Sequence, residues 1–128
     1  MAINKLLAVA AAGETATGLV LLVYPPIVIR LLFGAEIAGA GIVMSRIAGI
    51  ALIALGLACW PSDAAGCGIC GMLTYSLLAA LYLSYVAIAG ELVGILLWPA
   101  VVLHAGLTLL LTRGWFKKKV ASDEGQWL

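Results

Sequence analysis

Charge is what this chain has least of. Its 128 residues hold seven Lys or Arg and six Asp or Glu, 10% in all, against 65% hydrophobic residues. A soluble domain averages about 25% charged residues, and a chain this short has no interior large enough to hide so much apolar surface. Mean hydropathy is +1.19. A water-soluble fold is therefore excluded, and membrane lipid becomes the partner of most of the surface. A formal net charge of +1 offers no basic face to a nucleic acid. Histidine is down to one residue and cysteine to three. One histidine with no acid or cysteine near it in sequence, and one CxxC, do not fill a four-ligand metal site within one chain. A haem-attachment motif fails because Gly71, not histidine, follows Cys70. No repeat of 20–50 residues is present, which removes support for an inverted-repeat transporter. No cofactor motif stands out, and the chain reads as non-enzymatic.

What is present is four long apolar runs, at residues 3–24, 38–60, 69–89 and 92–112. A helix crossing the hydrocarbon needs about 20 such residues. The runs are continuous, without the two-residue alternation of strands, and in lipid a helix satisfies its own backbone where an open sheet cannot. Lys5 followed by "LLAVAAAG" has the outline of a signal peptide. The apolar character continues past Glu14 to Tyr24, so the first run is read as a retained span. Pro25 and Pro26 end it, because proline removes a donor and restricts the residue before it. Residues 26–34 are too short to span and carry Arg30, so they are expected to form an interfacial helix. Pro61 ends the second span, Gly90-Glu91 turns between the third and fourth, and Pro99 is expected to kink the fourth. The expected fold is an all-α membrane protein: an antiparallel four-transmembrane-helix bundle in one domain, residues 1–114, with a short interfacial helix between the first two spans. A basic, then polar, loosely attached tail follows at 115–128. Lys5, Arg113, Lys117, Lys118 and Lys119 share one side and Arg30 faces them from the other, which predicts cytoplasmic termini. Trp60 and Trp115 fall at that interface, Tyr24 and Tyr85 at the opposite one.

Three ionisable residues lie deep in the spans. With a rise of about 1.5 Å per residue, Glu14 stands about 15 Å from the start of its span, Arg46 about 12 Å and His104 about 18 Å. All three reach the middle of a hydrocarbon layer about 30 Å thick. A lone charge there costs on the order of 2.5–3.5 kcal/mol, so Glu14 and Arg46 are expected to form a buried ion pair, with His104 beside it. Thr15, Thr17, Ser45 and Thr108 are the hydroxyls available to support it. Tyr75, Tyr82 and Tyr85 recur at spacings that share one helical face around Ala79 and predict a polar seam. A purely structural ion pair, a satisfied core histidine and simple aromatic packing are the competing readings.

Cys67 and Cys70 form "CGIC" at the start of the third span, where a helix N-terminus lowers a thiol's pKa. This makes them redox candidates for thiol–quinone exchange. Cytoplasmic placement and the absence of a second cysteine pair favour small polarizable residues in a glycine-rich turn. Ser45, Gly49 and Gly56 line one face of the second span, and Gly90 and Gly94 make a GxxxG. Both are seams for packing within the bundle, or for a homo-oligomer or larger membrane complex.

The stretches "RIAGIALIALGLACWP" (46–61), "GMLTYSLLAALYLSYV" (71–86) and "GILLWPAVVLHAGLTLLL" (94–111) resemble small bacterial four-helix membrane proteins, loosely the DoxX-like group. The resemblance covers about two thirds of the chain, implies a four-helix bundle in an inner membrane and supplies no catalytic residues. Glu14 in the first span also resembles the small multidrug transporters, a likeness that ends at that residue. Three functions follow as expectations. The first is a non-enzymatic protein that binds lipid or a small hydrophobic ligand, or an accessory subunit, with the Glu14–Arg46–His104 cluster as polar anchor. The second is a small proton- or ion-coupled transporter using Glu14 and His104. The third is a redox protein using Cys67 and Cys70.

Overall fold

Proline and glycine punctuation divides the chain into five helices. The computed structural model describes residues 3–61 and 65–125. Residues 1–2 of the expected domain, 62–64 of the loop after the second span and 126–128 of the tail lie outside the described residues. The helices are α1 (Ile3–Val23), α2 (Pro25–Phe33), α3 (Ala40–Ala58), α4 (Ala65–Ala89) and α5 (Leu97–Gly125). Four of them are long and apolar enough to cross a membrane, as in a multi-pass membrane protein. Pro25 and Pro26 occupy the first turn of α2, where a missing N–H costs nothing because the first four N–H groups of a helix have no intrahelical acceptor.

Packing divides the bundle into two tight pairs, α1 with α3 and α4 with α5, which touch each other more sparingly. The α1–α3 seam is built from glycine. A Cβ on Gly18 would stand 2.6 Å from the Gly49 carbonyl oxygen, and one on Gly49 would stand 2.6 Å from the Gly18 carbonyl oxygen. Further along, Gly56 meets the Ala11 carbonyl and Thr15. The two helices thus meet in reverse order along the chain, backbone against backbone. In lipid no hydrophobic drive favours helix over solvent contact, so close approach of this kind supplies much of the association.

The densest core lies at the end where α1 begins and α5 leaves the bundle. Leu6, Leu7, Ala10 and Ala11 pack there with Cys59, Ile69, Met72 and Leu111, and Trp115 closes over them. Trp115 packs against this core, and Trp60, next to the core residue Cys59, is exposed. The opposite end is looser and is roofed by α2.

Two features differ from the sequence expectation. The fourth span begins at Leu97 rather than Leu92, because residues 90–96 dock on α2. Gly94 donates its N–H to the Leu32 carbonyl at 2.9 Å, and Leu96 donates to Leu31 at 2.8 Å. These acceptors are orphan carbonyls at the end of α2. Pro99 consequently lies in the first turn of α5 and starts the helix instead of kinking it. The tail also continues α5 to Gly125. A helix already nucleated in the bundle extends at little cost through Arg, Lys and Ala, which are good helix formers.

A Cβ at Gly94 would overlap the Leu31 carbonyl. Gly94→Ala is therefore expected to lift the loop off α2. Amide exchange at Leu96 should accelerate about tenfold or more, for a local overpacking cost of about 1–3 kcal/mol. Unchanged protection at Leu96 would show that the loop is not held by this contact.

Candidate ligand cavity and its polar wall

Between the two helix pairs, under α2, lies a cavity of about 800 Å³. Each long wall is one helical face read at three- and four-residue steps. From α1 come Val9, Gly13, Glu14, Thr17 and Val20; from α5 come Pro99, Ala100, Leu103, His104 and Leu107, with Leu96 just before it. Tyr75, Ala79 and Tyr82 line it from α4, and Leu31 and Leu32 from α2. Val9, Tyr82 and Leu103 are themselves exposed, so the cavity opens sideways at these residues. Apart from the hydroxyls of Thr17 and Tyr82, the wall is apolar except where Glu14, Tyr75 and His104 converge.

Glu14 is buried, at 6% exposure. Its Oε1 lies 3.5 Å from Nε2 of His104. The other ring nitrogen, Nδ1, is 2.8 Å from the Ala100 carbonyl oxygen. A carbonyl only accepts, so Nδ1 carries a hydrogen and donates it. This fixes the chemistry of Nε2, which is buried and has no closed hydrogen bond. If the imidazole is neutral, Nε2 is a lone pair, and it tolerates Glu14 only when Glu14 is protonated. If Glu14 is ionised, the imidazole must carry the second proton. Either way the pair holds one proton and no net charge, the arrangement that avoids an uncompensated buried charge. The Tyr75 ring meets the His104 ring edge-on, with centroids 5.8 Å apart and planes inclined at 64°, and its hydroxyl faces Glu14.

The expected Glu14–Arg46 pair does not form. Arg46 is exposed on α3, outside the cavity wall, and among the described residues the ionic partner of Glu14 is His104. The reason is azimuthal. The Gly49–Gly56 face turns α3 onto α1, and Arg46, three residues before Gly49, stands about 60° around the helix from it. Three of the four hydroxyls expected to support the cluster turn back on their own helices. Thr15 donates to Ala11 at 2.8 Å, Thr17 to Gly13 at 2.9 Å and Thr108 to His104 at 2.8 Å, each through the backbone carbonyl. Tyr75 and Tyr82 both reach the cavity, whereas Tyr85 is exposed outside its lining. The contribution of α2 went unread in the sequence. Its signal is the apolar set Val28, Leu31 and Leu32, which recurs at helical spacing.

Cys67 and Cys70 are free and exposed in the first two turns of α4, while Cys59 is free and buried at 2% exposure. Neither Cys67 nor Cys70 lines the cavity. A thiol reagent is expected to modify Cys67 and Cys70 in the folded protein and to reach Cys59 only after denaturation. Mass spectrometry counts the adducts, and early modification of Cys59 would contradict its burial.

No protein-family model, curated protein or solved structure matches this chain. The functional reading therefore rests on the cavity and its polar wall.

Proposed function

We propose that this protein is a non-enzymatic, multi-pass membrane protein that holds a lipid or small hydrophobic molecule in the cavity between its helix pairs. The observation that carries the proposal is a largely apolar cavity of about 800 Å³ with a buried Glu14–His104–Tyr75 cluster on its wall. Ligand pockets are typically about 300–1,000 Å³, apolar, with a few polar groups that fix orientation. Glu14, His104 and Tyr75 fill that orienting role. The positive-inside rule supports cytoplasmic termini, since Lys5 and the Arg113–Lys119 cluster share one end. The DoxX-like resemblance supports a bacterial inner membrane.

A cavity-filling substitution tests the reading. Ala79→Trp puts an indole into the lining, whereas Leu78→Trp puts it on an exposed position outside that lining. In native mass spectra of the protein released from nanodiscs, a small hydrophobic adduct should accompany the parent and the Leu78 variant. Ala79→Trp should lose it. Retention of the adduct in Ala79→Trp, or none in the parent, counts against a cavity ligand.

Proton-coupled transport is the second reading, favoured by the single proton shared by Glu14 and His104 at the cavity wall. It requires solute flux into proteoliposomes that depends on a pH gradient and is abolished by Glu14→Gln. Binding without flux leaves the first reading standing.

A further inference from the structure

Resting on the membrane-spanning reading and not on the occupant of the cavity, we infer that the chain carries a second site, which selects a zwitterionic phospholipid headgroup of the phosphoethanolamine type. Helix α2 separates the two sites. Val28, Leu31 and Leu32 line the cavity, whereas Pro26, Ile27 and Arg30 line a separate hollow of about 350 Å³ together with Tyr24, Glu36 and Ile37. Local backbone geometry makes this hollow. Pro25 and Pro26 turn the chain from α1 into α2. Gly34, with φ at 66°, ends α2 in the left-handed region and donates its N–H to the Arg30 carbonyl at 2.9 Å. Residues 36 and 37 thereby come to line the same hollow as residues 24 and 26. All six residues fall between the end of α1 and the start of α3. Where those two helices cross a membrane, the hollow stands at the level of the lipid headgroups.

One cation and one anion line this small space, and among the described residues they form no ion pair with each other. Arg46 and Glu91 lie outside it. Three kinds of headgroup can be compared against that wall. An anionic head meets the Arg30 guanidinium but also faces the Glu36 carboxylate, a like charge that repels it. A choline head supplies both charges, but its quaternary nitrogen has no N–H to give the carboxylate. An ethanolamine head matches both. Its phosphate accepts two parallel N–H bonds from the planar guanidinium. Its ammonium, two carbons away, gives N–H donors to Glu36. The Tyr24 ring lines the same hollow and favours a cation near its face. Site and head are each neutral overall, so binding strands no charge.

The same chemistry belongs to a lipid and to a soluble phosphate ester, and magnitudes favour the lipid. Arg30 and Glu36 are exposed, and an exposed charge pair contributes only about 0–1 kcal/mol, screened further by salt. Such contacts choose between heads but do not hold one. Anchoring needs apolar chains, each buried CH₂ contributing about 0.8 kcal/mol. Val23 at the end of α1, Ile27 on α2 and Val43 in the first turn of α3 are all exposed beside the hollow and offer the surface for those chains.

The test is native mass spectrometry of the full chain in detergent micelles, titrated with phosphatidylethanolamine, phosphatidylcholine and phosphatidylglycerol of identical acyl chains. The ethanolamine lipid is expected to bind about threefold more tightly than either of the others, the scale of one exposed charge contact. Glu36→Gln should erase its advantage over the choline lipid and raise binding of the glycerol lipid above the parent's, because the opposing carboxylate is gone. Arg30→Gln should weaken all three. Glu91→Gln, at an exposed acid on another loop of the same end, should change nothing. Ala79→Trp should keep the preference, because the hollow is separate from the cavity. Water-soluble glycerophosphoethanolamine at millimolar concentration should not compete. No preference in the parent, a preference that survives Glu36→Gln, or one that is lost in Ala79→Trp overturns the inference and leaves the cavity reading intact. Displacement by the soluble head overturns the assignment to a lipid. If the parent does not insert into liposomes, the membrane-spanning reading itself falls.

Discussion

Replacing Gly56 with alanine is expected to destabilise the bundle by about 1–3 kcal/mol, the usual cost of forcing extra volume into a packed seam. The same change at Gly106 is expected to be neutral or slightly stabilising. Both residues are glycines in the interior of apolar helices, so helix propensity alone predicts a gain of roughly 0.5–1 kcal/mol at each. What separates them is what the new methyl group meets. At Gly106 nothing lies within 4 Å. At Gly56 the methyl would stand 2.6 Å from the Ala11 carbonyl oxygen and would overlap Thr15 Oγ1. Neither neighbour can move away cheaply. The Ala11 carbonyl is helix backbone, and Thr15 Oγ1 is held on that carbonyl by a 2.8 Å hydrogen bond. The seat of α3 on α1 must open instead. Cys59, three residues further on and buried, reports that opening. In a background with Cys67 and Cys70 changed to serine, Gly56→Ala should expose Cys59 to a thiol reagent at a lower denaturant concentration than the parent. Gly106→Ala should not. Equal Cys59 reactivity in the two variants would mean that the glycine seam does not hold the helices together.

That seam also explains what could and could not be read from the residues. Helix number and the short α2 were legible because apolar runs and the prolines at 25, 26 and 61 act through local geometry. The start of α5 was not. Leu92 to Leu96 are as apolar as the helix that follows, and only the hydrogen bonds from Gly94 and Leu96 to α2 hold them out of it. The extension of α5 beyond the bundle was missed for the opposite reason. Polarity does not by itself mean looseness: Arg113, Lys117, Lys118, Lys119 and Ala121 all favour helix. At the site, counting residues placed Glu14 and His104 at a common depth, and the structure brings them together with Tyr75. The same count put Arg46 at that depth too. Depth is one coordinate of two, and the angle around the helix decides which residues at one level meet. For α3 that angle is set by Gly49 and Gly56, already visible as a face, and Arg46 falls off its edge. The cavity itself left no local trace, because it exists only where two helix pairs and α2 fail to close on one another.

The corrected pairing carries the second large expected effect. In a double-mutant cycle, Glu14→Gln and His104→Gln should be strongly non-additive, with a coupling of about 0.5–3 kcal/mol, as for residues in direct contact. Glu14→Gln combined with Arg46→Gln should be additive within about 0.3–0.5 kcal/mol. The argument turns on what each single change strands. Without a carboxyl at residue 14, the buried His104 Nε2 loses the group that shares its proton, and a neutral amide cannot replace that charge. Without the imidazole, Glu14 must hold the proton alone in an apolar wall. Removing one partner of a buried pair costs about 3–5 kcal/mol in the extreme. Once one member is gone, removing the second relieves part of the penalty, which is the source of the coupling. Arg46 sits outside this exchange. It is exposed on α3 and has no contact of ion-pair length among the described residues. Its replacement should leave the unfolding free energy in mixed micelles within about 0.5 kcal/mol of the parent. A strong Glu14–Arg46 coupling, with additive behaviour between Glu14 and His104, would reverse the assignment. The proton at the cavity wall would then belong to no defined pair.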